Sequence, residues 1–238
     1  MRFLILLLFA CGCSCGNGTP RGTMRVGIDP NWYPINFGPQ ASYVNGYTED
    51  LLLEMARYTG MQFELVTANW DTLVDGLKEN KYDAILTSMP PYEYNTAKYD
   101  FSQNYLELGP VLIVPVGAKQ TELSKMDHAM VGIIANDRAV LILEKYPTIL
   151  IRNYNSAPEL LNAVAVGEIQ GALLSRIPAV NYVADLYANT LQVVGAPLTD
   201  AGLHLVAPKG RGIKGFNKTL ETFRKKKTLN ALLKKWQL

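Results

Sequence analysis

The stretch Asn80–Ser102, NKYDAILTSMPPYEYNTAKYDFS, decides the fold of this chain. It contains a short apolar strand at residues 84–86, which ends in the hydroxyl residues Thr87 and Ser88 and is followed by two prolines. A buried strand that ends in small polar residues is typical of α/β folds, in which ligands bind outside the carboxyl ends of parallel strands. We therefore expect a ligand site just beyond this strand.

The same pattern returns in the second half of the chain. Read without gaps, the pairs are Leu73 with Leu161, Ala84 with Ala172, Thr87 with Ser175 and Ser88 with Arg176. A second echo pairs residues 26–29 (VGID) with residues 131–134 (VGII). Short echoes also arise by chance between unrelated helix–strand units, but the common order in both halves favours two similar α/β lobes around a shared cleft.

Length and composition leave room for this arrangement. The 238 residues suffice for one large domain or for two lobes of about 100 residues each. The net charge of +2 indicates no particular partner, and no basic stripe interleaved with aromatics predicts nucleic-acid binding. The sequence lacks the common phosphate-, dinucleotide- and zinc-binding motifs, so we expect no cofactor and no metal. For His128 and His204, structural roles are favoured over catalysis.

All three cysteines, Cys11, Cys13 and Cys15, lie close to the N-terminus. They follow an apolar run at residues 3–10, which is shorter than the roughly 20 residues of a membrane span and has the shape of a secretory signal. Residues 8–11 (LFAC) resemble a bacterial lipobox, with Cys11 as the lipidated residue and Cys13 as the alternative. We predict a signal segment at 1–15, a flexible tether at 16–23, and a folded part without disulfides.

Helices and strands are predicted to alternate through the rest of the chain, which indicates an α/β class with largely parallel sheets. Residues 30–47 are predicted to be a loop, whose many aromatics suggest a lid or a stacking surface, and Thr48 is predicted to cap the helix that follows. A strand over residues 107–116, interrupted at Pro110, suits a crossing between lobes. The pattern Ser156–Glu159 predicts a helix start, and another helix is expected from Pro178.

Eight short motifs along residues 24–238 resemble the type II periplasmic solute-binding proteins of polar amino acid ABC transporters. They are Val26–Asp29, Pro34-x-x-Phe37, Gly46-Tyr47-x-x-Asp50-Leu51, Trp70-x-x-Leu73, Tyr82–Ala84, Asp100–Ser102, Pro208–Gly210 and Lys235-Trp236. The resemblance implies a two-lobed periplasmic binding protein type II fold, with two mostly parallel sheets joined by crossover strands near 105–109 and 199–203. Lobe 1 would comprise residues 24–106 and 203–238, and lobe 2 residues 107–202.

The same resemblance implies a set of ligand-binding residues in the cleft between the lobes. An acidic residue at Asp29 and aromatics near Trp32 and Trp70 match the family pattern. The complete predicted set is Asp29, Trp32, Trp70, Thr87, Ser88, Met89, Asn95, Asn136, Arg138, Ser175 and Arg176.

Three positions depart from the pattern that holds an α-amino acid. Asn95 stands where the family has an arginine for the carboxylate, and Pro90, which has no N–H, stands where a donor is usual. Arg176 stands where an aspartate usually holds the ammonium group. We therefore expect a reversed ligand, with its carboxylate at Arg176 and any amine at Asp29. An internal salt bridge of Arg176, for example with Asp137, is the alternative.

The resemblance implies a receptor that binds a small carboxylate-bearing solute, an amino acid or a related compound, for an ABC permease in the inner membrane. We expect a periplasmic, lipid-anchored monomer without enzymatic activity. Two other functions remain open on the same fold. One is an enzyme similar to the cyclohexadienyl dehydratases, and the other is a sensor or interaction protein that no longer serves transport.

Overall fold

The computed structural model describes residues 22–238, and the three cysteines lie outside this range. The strands in this range are β1 (Thr23–Ile28), β2 (Gln62–Thr67), β3 (Ala84–Thr87), β4 (Tyr99–Phe101), β5 (Leu106–Glu107), β6 (Pro110–Pro115), β7 (Met130–Ile134), β8 (Leu150–Tyr154), β9 (Gly171–Ser175), β10 (Leu191–Val194) and β11 (Gly202–Pro208). The helices are α1 (Ala41–Thr59), α2 (Trp70–Lys78), α3 (Glu93–Thr96), α4 (Val140–Leu143), α5 (Ala157–Ala165), α6 (Arg176–Leu186), α7 (Ile213–Lys225) and α8 (Thr228–Lys235). Short 3₁₀ turns cover Gly38–Gln40 and Leu123–Lys125.

Two sheets form the two halves of the α/β fold. The first has the strand order β2-β1-β3-β11-β4, with β5 paired to β11, and the second has the order β10-β6-β9-β7-β8. Among the strands between residues 22 and 238, parallel pairing is confined to β1 with β2 and β3, and to β7 with β8 and β9. The sheets are therefore mixed rather than mostly parallel, because β6 and β11 enter them in the opposite direction.

Equivalent β-α-β-α-β units lie at the centre of each sheet, and they explain the two echoes in the sequence. In each unit the first strand is central: β1 lies between β2 and β3, and β7 lies between β8 and β9. Thr87 ends β3 and Ser175 ends β9, so the echoed hydroxyl residues occupy the same place in both units.

A pair of crossing segments connects the sheets, close to the predicted positions. β5 pairs with the start of β11, where Glu107 lies opposite Gly202. The Leu108 N–H also donates to the Ala201 carbonyl oxygen at 2.8 Å. We refer to residues 105–109 and 199–203 as the crossover pair.

Helix α1 begins earlier than predicted, and the prediction of a loop over residues 30–47 is wrong for its last seven residues. Thr48 is not a cap but lies inside α1, where its hydroxyl donates to the Val44 carbonyl oxygen at 2.8 Å. Gly46 is a weak helix former, so its presence argues against a helix at this position when only the sequence is considered. It is accommodated because the Trp236 ring packs so closely on α1 that a Cβ at position 46 would overlap it. The helix predicted from Pro178 likewise begins earlier, at Arg176.

Motifs that carry the resemblance contact one another within the first sheet and its helices. Asp50 accepts hydrogen bonds from Lys235 Nζ at 2.6 Å and from Trp236 Nε1 at 2.8 Å. Asp100 accepts one from the Gly210 N–H at 2.7 Å and pairs with Lys209 at 3.0 Å. These two partners, the Gly210 N–H first, lower the pKa of Asp100. The motifs thus hold the first lobe together.

His204 has a structural role in β11. Its ring is buried, lies 3.0 Å from the Ser102 carbonyl oxygen through Nδ1, and meets the Phe101 ring edge-on. Burial lowers the pKa of His204, which favours the neutral ring inside the sheet.

Between residues 22 and 238, none of the helices has the length and apolar character that crossing a membrane requires.

Candidate functional site

The carboxyl ends of the parallel strands of both sheets meet at the crossover pair. In the first sheet, β3 is antiparallel to β11, so Thr87 at the end of β3 lies opposite His204, near the start of β11. In the second sheet, Ser175 at the end of β9 lies opposite Pro110, at the start of β6. Because both strand starts follow the crossover pair directly, the two carboxyl edges face each other across it. This defines the cleft, where α/β folds bind ligands.

Three of the predicted residues lie at the carboxyl ends of β1, β2 and β3. Asp29 follows β1, Trp70 begins α2 after β2, and Thr87 ends β3. The register places Ile28 opposite both Thr67 and Leu86, so these strand ends are neighbours. Asp29 is only 6% exposed, and its Oδ1 accepts a hydrogen bond from the Asn31 N–H at 2.9 Å.

Tyr33 and the half-buried Trp70 form an aromatic pair at this edge. Their ring centroids lie 6.0 Å apart in an edge-to-face arrangement, and Tyr33 is 59% exposed. The sequence interpretation did not select Tyr33 as a ligand residue, although it noted the run of aromatics that includes it. An aromatic pair of this kind offers a large contact area for a flat or apolar ligand group.

Trp32 does not fit the predicted stacking role. It is only 2% exposed, belongs to the core under α1, and donates from Nε1 to Asn45 Oδ1 at 2.6 Å. Its ring also packs against the Phe37 ring, with 6.4 Å between the ring centroids. A ring enclosed in this way has no free face for a ligand, and the aromatic side chain that lies beside Trp70 is that of Tyr33.

The residues after β3 form a tight turn rather than a set of free donors. Thr87 Oγ1 accepts from the Met89 N–H at 3.1 Å, and Asn95 Nδ2 donates to the Pro90 carbonyl oxygen at 2.9 Å. Met89 packs in the hydrophobic cluster under α2, where its side chain is buried. Ser88 is half-buried at this turn.

In the second lobe, the predicted residues Asn136, Arg138 and Ser175 are all exposed. Asn136 and Arg138 follow β7, and Ser175 ends β9, so they lie on the carboxyl edge of the second sheet. Asn136 has a φ of 64°, which fits the sharp turn after β7. Asp137 Oδ1 accepts from the Ala139 N–H at 2.7 Å.

Arg176 lines a cavity that it shares with none of the other ten predicted residues. This separate cavity lies beside the crossover pair and is also lined by residues of α7 and α8. The backbone N–H of Arg176 donates to the Gly109 carbonyl oxygen at 3.2 Å, and this bond fixes the backbone of Arg176 close to the crossover pair. The expected carboxylate contact of Arg176 in the cleft does not fit this position. The alternative salt bridge with Asp137 does not occur either, since the described residues form no ion pair with Arg176.

Comparison with known proteins identifies the family. The sequence profile of the bacterial extracellular solute-binding proteins, family 3, matches residues 24–238, which is most of the chain. The chain belongs to this family. The L-cystine-binding protein TcyJ of Escherichia coli strain K12 is 24% identical to it over 221 residues, covering 91% of this chain and 83% of TcyJ.

Solved structures share the fold of this solute-binding protein. The unliganded, open L-cystine solute receptor of Neisseria gonorrhoeae matches with a TM-score of 0.69 at 17% identity, covering 90% of this chain and 92% of the receptor. An ancestral cyclohexadienyl dehydratase matches with a TM-score of 0.68 at 21% identity, covering 91% and 92%. At such low identity these likenesses show the fold alone. The type II periplasmic binding protein fold and the extracytoplasmic solute-receptor function expected from the sequence are confirmed.

Proposed function

We propose that this solute-binding protein holds a small carboxylate-bearing solute, an amino acid or a related compound, in the cleft and delivers it to an ABC permease. The observation that carries the proposal is the meeting of both carboxyl edges at the crossover pair. The proposed lobes are residues 24–106 with 203–238, and residues 107–202. Closure of one lobe on the other around the solute is what the permease would recognise.

The proposed binding mode places the amine of the solute on the first lobe. Asp29 has one oxygen bonded to the Asn31 N–H, and its other oxygen accepts no hydrogen bond from the described residues. The carboxylate then meets the second lobe at Arg138 and Ser175, which are exposed at its carboxyl edge. Tyr33 and Trp70 cover the side chain of the solute. This keeps the reversed orientation that Asn95 and Pro90 favour, with Arg138 in place of Arg176.

Intrinsic fluorescence tests the site, because the three tryptophans occupy different places. Trp70 lies at the cleft, Trp32 is enclosed in the core, and Trp236 bonds to Asp50 on α1. A panel of amino acids and related carboxylates should contain solutes that change the emission of the chain. We expect that change to disappear in Trp70→Phe and to persist in the control Trp236→Phe. Trp70→Leu should weaken binding by about 3- to 10-fold, since aromatic contacts contribute about 0.5–1.5 kcal/mol. A signal that survives in Trp70→Phe would contradict the site.

We also propose that a lipid on Cys11, or alternatively on Cys13, anchors the protein to the bacterial membrane. The support is the apolar run at residues 3–10 and the lipobox-like residues 8–11. Replacing both cysteines with alanine should release the protein from membranes into the soluble fraction, because a protein without its acyl chains loses its main membrane affinity. Equal membrane retention of the double variant and the wild type would contradict the anchor.

A further inference from the structure

A cavity beside the crossover pair is separate from the proposed solute site. Its volume is about 490 Å³, within the range of about 300–1,000 Å³ that is usual for small-molecule sites. It lies where β5, the start of α6 and the helices α7 and α8 come together. The residues that line it include Leu106, Glu107, Arg176, Arg224, Leu229 and Lys234.

The cavity has an excess of positive charge. Arg176, Arg224 and Lys234 line it together with one carboxylate side chain, that of Glu107, and with Leu238, the last residue of the sequence. None of these four side chains forms a salt bridge within the described part of the chain. Arg224 bonds only to neutral oxygens, those of the Gln103 side chain and the Asn104 backbone. The cationic side chains of the lining thus outnumber its carboxylate side chain, and the described residues do not pair them in salt bridges.

One cationic group in the cavity is shielded and has no hydrogen-bond partner. Arg176 Nη1 is inaccessible to solvent and finds no acceptor among residues 22–238. A guanidinium N–H that is removed from water without an acceptor costs free energy. Because water does not reach Nη1, an anion in the cavity would meet Arg176 through the other atoms with which this side chain lines the cavity. Apolar side chains, among them Leu106 and Leu229, provide the remaining wall.

We propose that this cavity is a second binding site, for a small carboxylate that carries a short branched aliphatic group. The planar fork of Arg176 suits a carboxylate, Arg224 and Lys234 add long-range attraction, and the leucines accept the aliphatic part. A carboxylate is preferred to a free inorganic anion because the leucines would leave a wholly polar ion without contacts on one side.

The place of the cavity links it to the movement of the lobes. Arg176 and Ile177 begin α6 in the second lobe, yet Ile177 packs in the core of the first lobe. The rest of the lining belongs to residues 104–107 and to the C-terminal segment 224–238. An occupant therefore contacts both lobes, and it should change the balance between open and closed forms. Such coupling is reciprocal, so a cleft solute would in turn alter affinity for the cavity ligand. Binding to the cavity itself does not depend on the proposed cleft site.

An NMR titration with two matched probes tests the proposal on the purified chain. 4-Methylpentanoate supplies the carboxylate and the branched tail, and 4-methylpentanamide is its neutral counterpart. We expect the acid, with a Kd of about 1 mM or below, to shift the amide signals of residues 104–107, 176–177 and 229–238. The amide should produce no saturable shift. Arg176→Gln should weaken acid binding about tenfold or more, whereas the exposed control Arg211→Gln should stay within about twofold.

Two further variants protect the test against a folding defect in Arg176→Gln. Arg176→Lys keeps the charge but loses the fork, so it should still weaken binding several-fold. Glu107→Gln removes the competing carboxylate and should strengthen it. The proposal is overturned if the acid fails to bind, if acid and amide bind equally, or if Arg176→Gln and Arg176→Lys both bind like the wild type. Shifts confined to the cleft around Asp29 and Trp70 would also overturn it, while leaving the proposed function intact.

Discussion

Replacing Tyr82 with alanine is expected to lower the free energy of unfolding by about 3–5 kcal/mol. Tyr82 is only 3% exposed, and its hydroxyl donates to the Leu73 carbonyl oxygen at 2.5 Å. Its ring fills the space above Gly27 in β1 and Gly76 in α2, where a Cβ at position 27 would lie 2.7 Å from the ring. Removing the ring leaves a cavity between sheet and helix that neither glycine can fill. Urea denaturation followed by circular dichroism measures the loss.

Two variants show whether this loss comes from packing. Tyr82→Phe keeps the ring and removes only the hydroxyl, so it should cost about 1 kcal/mol. Tyr92 is 52% exposed, and Tyr92→Ala should change stability by less than about 0.5 kcal/mol. A Tyr82→Ala variant as stable as Tyr92→Ala would show that the contact with Gly27 and Gly76 does not support the first lobe.

The second large effect is expected from Gly46→Ala, which should destabilise the fold by about 1–3 kcal/mol. In an exposed helix the same substitution would stabilise by about 1 kcal/mol, because alanine is the better helix former. Inside α1 the opposite sign is expected, since the new Cβ would overlap the Trp236 ring. Thermal or urea denaturation of the variant measures the sign directly.

Gly215 provides the matched control for Gly46. It lies in α7, and a Cβ added there meets no atom within 4 Å. Gly215→Ala should therefore stabilise by about 0.5–1 kcal/mol. In a Trp236→Leu background, the penalty of Gly46→Ala should largely disappear, because the two positions are coupled. A stabilising Gly46→Ala in the wild-type background would rule out the close packing of α8 on α1.

The fold could be predicted from the sequence because its motifs contact one another in pairs. Gly27 pairs with Tyr82, Gly46 with Trp236, and Asp100 with Gly210. Each pair joins distant segments of the first lobe. The order of the motifs along the chain therefore indicates which segments lie together in the fold. The early start of α1 was also detectable: buried residues recur at Val44, Tyr47, Leu51 and Met55, at helical spacing. Gly46 obscured that signal.

The candidate site was harder to predict, because neighbouring residues at a strand end point in different directions. Trp32 and Tyr33 are adjacent, but a left-handed turn at Trp32, with φ of 59°, directs its ring into the core while Tyr33 stays exposed. Ser175 and Arg176 are also adjacent, yet Ser175 ends β9 at the cleft edge and Arg176 enters the separate cavity. No periodicity distinguishes such neighbours, since their directions depend on single backbone angles.

Native mass spectrometry of the purified chain tests most directly the central claim that the cleft of this protein receives a small solute. After incubation with a panel of amino acids and related carboxylates, we expect a noncovalent adduct that is weakened in Trp70→Leu and kept in Arg176→Gln. The claim would be contradicted if no member of the panel gave an adduct, or if none of the adducts were weakened by Trp70→Leu. Turnover of prephenate or arogenate by the chain would contradict it as well.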